Sequence, residues 1–164
     1  VDFSTRGFDM NDEKGMRVAI AAARRGLKSG GGPFGCAIFR HGKLVASACN
    51  RVVKTNDATA HSEVRAIRLA GRKLGTPFLR DCTLYSTTEP CPMCYSACHW
   101  AKIKRVVYGS FIADAARFGL NELRIPAEKM KRIGYDKIEL KGGVLREECL
   151  ELFKGWWASG GKPY

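Results

Sequence analysis

Apolar and polar positions follow two rhythms along this chain. Over 11–28, Met16, Ala19, Ile20, Ala23 and Leu27 share one face at helical spacing, which predicts an amphipathic helix. The same rhythm returns over 61–74, with Val64, Ile67 and Leu74 directed inward and Arg65, Arg68 and Arg72 outward. It returns again over 145–158, as a closing amphipathic helix. Short apolar runs at 34–39, 43–49, 82–86, 105–108 and 137–140 predict strands, the first two joined by a turn at His41-Gly42. Residues 92–101 predict a further short helix, because Pro92 has the fixed φ of a first helical turn. The pattern over 113–133 is mixed and predicts no single element. Gly30-Gly31-Gly32-Pro33 reads as a helix stop before a strand, and Gly160-Gly161 as a second break. The first is too early and too short to separate two domains. The order, with β-α-β-α-β at its centre, predicts one three-layer α/β domain over 1–164 with a partly parallel sheet.

Composition agrees with a buried core: of 164 residues, 45% are hydrophobic and 27% charged. No apolar run approaches a membrane span, and the polar, acidic start at 1–12 is expected to be no signal peptide. Charge changes the picture more. Lys and Arg number 28 against 16 Asp and Glu, a net +12. On charge alone, a nucleic-acid surface and a solvated surface that draws in small anions are equally good readings. The basic residues are spread along the chain and form no tail. Seven cysteines cannot all pair within the chain. The expectation is a reducing cytoplasm, with thiols used for packing, metal or catalysis.

Candidate chemistry concentrates in two places. His61-Ser62-Glu63 opens a helix after Asn56-Asp57-Ala58-Thr59-Ala60, and Glu89-Pro90-Cys91-Pro92-Met93-Cys94 joins a strand to a helix. Alone, each has an ordinary explanation: a structural histidine, a carboxylate complementing a helix dipole, a redox or buried Cys-x-x-Cys pair. Together they are specific. His61, Cys91 and Cys94 offer one imidazole and two thiolates, a set zinc favours. A structural zinc takes a fourth protein ligand, for which Cys98 and His99 lie nearby in sequence. A catalytic zinc keeps that position for a water whose pKa it lowers. Glu63 is then placed to move the water's proton without being a ligand. Cys91 and Cys94 fall at a helix N-terminus, whose unpaired N–H groups favour thiolates. Three readings stand at this point: a hydrolytic zinc enzyme, a non-catalytic zinc or nucleic-acid-binding module, and a thiol redox protein. Asn50 ends a strand, and its amide both donates and accepts, which suits the edge of a base or a turn. Phe34 and Trp100 are candidate apolar walls of a pocket.

The pattern His-x-Glu followed by Pro-Cys-x-x-Cys resembles that of zinc deaminases acting on nucleobases. With Gly31-Gly32-Pro33-Phe34-Gly35, Asn50 and the run 56–63, the chain is similar to the cytidine-deaminase-like superfamily. The branch is the one holding bacterial guanine deaminases and tRNA adenosine deaminases. The similarity runs from the first helix through Gly109 and more weakly to the end. It implies an α/β/α sandwich around a five-stranded mixed sheet and a homodimer with one zinc per subunit. It also implies hydrolytic loss of ammonia from an amino-substituted ring.

Asn56-Asp57, Pro92 and Trp100 resemble the guanine deaminases, as does the ending Lys162-Pro163-Tyr164. In that family the C-terminal helix and tail, here 142–164, close a pocket, often the neighbouring subunit's, and the final Tyr reaches the base. The family's Gly-Phe-Asp-Asp segment corresponds here to Gly119-Leu120-Asn121-Glu122, so Glu122 stands for the base-contacting acid, one methylene longer. The preferred ring stays open among guanine and related purines, pyrimidines and triazines. By this resemblance Asn50 orients the ring and Phe34, Trp100 and Tyr164 enclose it. Backbone N–H groups near Ala60 and Cys91 polarise the ring or the water. The alternative, a tRNA-specific adenosine deaminase, accounts for the +12 and for the helix start over 143–149. Against it, Tyr95 and Ser96 are expected to narrow the approach of a tRNA loop. The leading expectation is a cytoplasmic enzyme of nucleobase metabolism.

Overall fold

The computed structural model describes residues 11–164, so the polar start over 1–10 lies outside the described residues. Helix α1 (Asp12–Lys28) opens on Asn11, whose side chain accepts from the Glu13 N–H at 3.0 Å. Asp12 and Glu13 in its first turn and Arg25 and Lys28 in its last complement the helix dipole. Strands β1 (Gly35–Arg40) and β2 (Lys43–Cys49) form an antiparallel hairpin through the His41-Gly42 turn. The short helix α2 (Val52–Thr55) and α3 (Ser62–Leu74) follow, then β3 (Cys82–Thr88), α4 (Pro92–Trp100) and β4 (Arg105–Ser110). Helices α5 (Ile112–Arg117) and α6 (Ala127–Ile133) precede β5 (Glu139–Lys141) and α7 (Arg146–Ala158).

The five strands lie in the order β2-β1-β3-β4-β5. β1 pairs antiparallel with both β2 and β3, while β3–β4 and β4–β5 are parallel, as expected of strands joined through helices. Both faces are covered, so the inner strands are buried throughout and alternate between two cores. Cys36, Ile38, Leu84 and Val106 point into one core with Ala66, Ala70 and Cys98. Ala37, Phe39, Tyr85 and Val107 point into the other with Met16, Ala19, Ile20, Ala23 and Leu152. The sandwich therefore has α1 and α7 on one side and α3, α4 and α6 on the other. Two glycines permit the closest approaches. A Cβ on Gly35 would lie 2.2 Å from the Ala19 carbonyl of α1, and one on Gly109 would lie 2.2 Å from Cys149 Sγ of α7.

The predicted elements are present, with informative differences. β3 and β4 run past their apolar stretches because Thr87, Thr88 and Ser110 satisfy one another's polar groups. Ser110 Oγ donates to the Thr87 carbonyl at 3.0 Å, and the Gly35 N–H donates to Thr87 Oγ1 at 3.1 Å. The mixed segment resolves into α5 and α6, separated by a loop that ends at Pro126. The inward face of α3 is turned from the predicted one. Ser62, Glu63, Ala66 and Ala70 are buried, whereas Val64, Ile67 and Leu74 are half-buried at its margin. Arg65 does not face outward; its guanidinium donates to the Cys49 carbonyl.

Candidate active site

Two helices begin at the same end of β3. His61 is the N-cap of α3 and Cys91 the N-cap of α4, both in extended backbone conformation, and Pro92 fills the first position of α4. Neither side chain makes a capping hydrogen bond; both turn instead toward a common point. His61 Nδ1 lies 3.7 Å from Cys91 Sγ and 3.5 Å from Cys94 Sγ, and the three ligand atoms fall within 4.8 Å of one another. Zn–N bonds of about 2.0 Å and Zn–S bonds of about 2.3 Å in a tetrahedron require N···S edges of about 3.5 Å, so the set fits zinc. Among the described residues no fourth side chain joins the cluster. Cys98 is fully buried in the core, and His99 pairs with Asp136 at 3.1 Å. The four-ligand structural site considered from the sequence is therefore not formed by either residue. Three ligands leave one position for a water.

Glu63 is 6% exposed and is held by two hydroxyls. Ser62 Oγ donates to Oε2 at 2.9 Å and Ser86 Oγ to Oε1 at 3.0 Å. Burial and the neighbouring Cys91 push its pKa up, against the opposing pull of His61 and Ser62. The hydrogen bond from the Cys94 thiol, and then His61, lower Cys91 to about 4, while Cys94 as the donor moves the other way. For His61, burial acts downward, but Cys91, Glu63 and Glu122 outweigh it and raise the pKa.

Beside the cluster lies a pocket of about 150 Å³ lined by Phe34, Val52, Ala58, His61, Leu120, Asn121, Glu122 and Tyr164. That is room for about five waters, or one small ring system in their place. A narrower recess, reaching Asn50, Glu63, Thr88, Glu89 and Cys91, connects Phe34 and Glu122 to the cluster. Asn50 is buried; its Oδ1 accepts from the Val52 N–H at 3.2 Å, and both its side chain and the Tyr164 hydroxyl lie against Gly32. Asn50 thus serves the turn and faces the pocket at once. Phe34 meets Phe153 of α7 edge-on at 5.8 Å. Burial, then the charges of Cys91 and Glu63, raise Glu122 to about 7.

Three residues sit away from the pocket within this chain. Trp100 is 72% exposed and lines neither recess. Six residues beyond Cys94 carry it about 9 Å along α4 and about 240° around it. Ala60 is buried, but its N–H donates to the Asp57 carbonyl at 3.0 Å, so it serves the loop. Tyr95 lies in the core with its hydroxyl on Asp136 at 3.1 Å, so it narrows no approach.

Other residues were not singled out from the sequence. Glu89 is buried beside the recess, and its two oxygens accept from the Ile112 N–H (2.9 Å) and the Ala127 N–H (2.7 Å). It anchors the starts of α5 and α6 and so frames the loop that carries Glu122. The signal available was its place in the Glu89-Pro90-Cys91 run. Ser86 was concealed as a polar residue inside an apolar strand.

The model of the cytidine and deoxycytidylate deaminase zinc-binding region matches residues 9–110. The guanine deaminase of Bacillus subtilis is 40% identical over 154 residues, covering 90% of this chain and 94% of that protein. A tRNA-specific adenosine deaminase of Buchnera aphidicola is 31% identical, covering 89% and 93%. The solved guanine deaminase of Nitrosomonas europaea superposes with a TM-score of 0.83 at 30% identity, over 89% of this chain and 84% of that one.

Proposed function

The chain belongs to the zinc-binding family of cytidine and deoxycytidylate deaminases, and we propose that this zinc-dependent aminohydrolase converts free guanine to xanthine and ammonia. The observation that carries the choice of substrate is the small pocket lined by the chain's own Tyr164, beside the His61, Cys91 and Cys94 cluster. It accompanies 40% identity to a guanine deaminase along nearly the whole chain.

Zinc, when held by His61, Cys91 and Cys94, supplies an acidified water at the pocket floor. Glu63, oriented by Ser62 and Ser86, takes the water's proton and returns it to a ring nitrogen. It then carries the second proton to the departing amine. The water oxygen replaces the amino nitrogen, and ammonia leaves. Asn50 presents its amide to the ring edge, Phe34 and Tyr164 enclose the faces, and Glu122 receives a ring N–H. Trp100 has no part in this reading. The domain spans 1–164, with 142–164 as the element that closes the site. The enzyme works in the cytoplasm as a homodimer with one zinc per subunit. The described residues contain no helix long and apolar enough to cross a membrane.

The tRNA-specific adenosine reading is weaker, because Tyr164 of the tail takes up part of the wall of the pocket that an anticodon loop would have to enter. An ammonia-release panel of guanine, guanosine, isoguanine, cytosine, ammeline and an anticodon stem-loop RNA decides between them. Guanine is expected to react fastest. Deamination of the RNA without turnover of guanine would overturn the proposal.

A further inference from the structure

The net +12 is not used by a pocket for a neutral base. An open groove of about 520 Å³ lies where β4 and β5 begin, lined by Arg80, Lys102, Lys104, Lys137, His99 and Tyr135. Asp136 also lines the groove, where its carboxylate is paired with His99 and receives the Tyr95 hydroxyl. The nearby acids Glu139 and Asp81 are paired with cations outside it, Arg105 at 2.8 Å and Arg40 at 3.7 Å. Arg80, Lys102, Lys104 and Lys137 are left as a concentration of positive charge.

Aromatic rings are interleaved with these cations. Phe78, Trp100 and Tyr135 each stand two residues before a cation: Arg80, Lys102 and Lys137. Tyr135 is 92% exposed and Phe78 49%. The Arg80 guanidinium lies 5.3 Å from the Phe78 ring centre, and Lys102 Nζ lies 5.7 Å from that of Trp100. Large exposed rings lose little by meeting another π face, and a row of cations tracks a phosphate backbone. A second copy of this chain would bring the same charges face to face, which disfavours self-association here.

We propose that this groove binds single-stranded nucleic acid without sequence preference, its cations on phosphates and its exposed rings on unstacked bases. The groove is separate from the zinc pocket. It lies at the C-terminal end of α4, about 13 Å of helix away from Cys91, and at the opposite end of β3 from Glu89. A strand held there does not present a base to Glu63. The inference therefore stands independently of the deaminase reading.

The test is fluorescence anisotropy with labelled oligo(U) RNA and oligo(dT) DNA of about 15 nucleotides, on the order of one binding-site length. Both are expected to bind saturably. With four cations each neutralising a phosphate, binding should weaken about 50-fold between roughly 50 and 200 mM salt. The triple variant Lys102→Glu, Lys104→Glu, Lys137→Glu is expected to weaken binding by more than about 100-fold. Tyr135→Ala and Phe78→Ala are each expected to weaken it by about tenfold. All of these variants should retain the wild-type rate of ammonia release, which also reports that they fold. Absence of saturable binding at low salt overturns the proposal, as does undiminished binding by the triple variant. A loss on charge reversal with none on removing the rings overturns the stacking role. Equal or tighter binding of a duplex of the same length overturns the single-strand assignment. The RNA and DNA arms distinguish which backbone is preferred.

Discussion

The two hydroxyls on Glu63 determine how its carboxylate can act. Ser62 and Ser86 each donate to one oxygen, which fixes the plane of the group and favours its charged form. Glu63→Gln keeps the shape and removes the base. Metal analysis of that variant should still find zinc, while ammonia release falls by about 10²- to 10⁴-fold. A rate near wild type would reject the proton-transfer role. Ser62→Ala removes a donor to the charged form, so the Glu63 pKa rises further. The acid limb of the kcat/KM profile should move to higher pH, because a larger fraction of the base is then protonated at any given pH. His61 and the two cysteines were legible from the sequence because two short motifs at helix starts constrain side-chain direction closely. Trp100 and Tyr95 were not, because the face a helical residue presents depends on how the whole helix is rotated against the sheet.

Helix α1 lies on β1 with no room for a methyl group at Gly35. Gly35→Ala forces the strand and helix apart and should lower stability by about 1–3 kcal/mol, read from denaturant midpoints at unchanged m. Glu89 acts between elements, since one carboxylate holds the first turns of α5 and α6. In Glu89→Gln the amide nitrogen faces one of the two N–H donors. The expected result is a raised KM, through the loop carrying Glu122, with zinc content unchanged. Wild-type KM in that variant would show that the loop is held by other contacts. Such links were invisible along the chain because Glu89 and Ala127 are 38 residues apart and nothing local marks the pair. The strands were legible for the opposite reason. With both faces of the sheet covered, their burial appears as short continuous apolar runs. These runs understate β3 and β4 only where threonine and serine hydroxyls replace the apolar pattern.

At the scale of the molecule, Asp12 joins four elements: α1 through its own backbone, β3 through the Tyr85 hydroxyl at 3.3 Å, β4 through Arg105 at 2.6 Å, and β5 through Lys141 at 2.6 Å. Burial acts to raise its pKa, but the two cations outweigh it and hold the carboxyl at about 2, against an ordinary 3.8. A carboxylate lowered in the folded state contributes stability above its unfolded pKa and loses it as pH falls through the folded one. Wild type should therefore melt above Asp12→Asn at neutral pH. The difference should shrink between about pH 4 and pH 2. A gap that does not change with pH would mean the contribution is packing alone.

The caps of α3 and α4 were given up by the fold. A serine, aspartate or asparagine at positions 61 and 91 would close each helix start and add about 0.5–2 kcal/mol. His61 and Cys91 leave both starts without a side-chain cap. Selection for folding alone would replace them; selection for turnover retains them. His61→Asn and Cys91→Ser should therefore be inactive yet melt at higher temperature than the wild-type protein stripped of metal by a chelator. Zinc should reverse that order by stabilising only the wild type. A random search for thermostable variants made under metal-depleted conditions would, on this account, select against the enzyme's own chemistry.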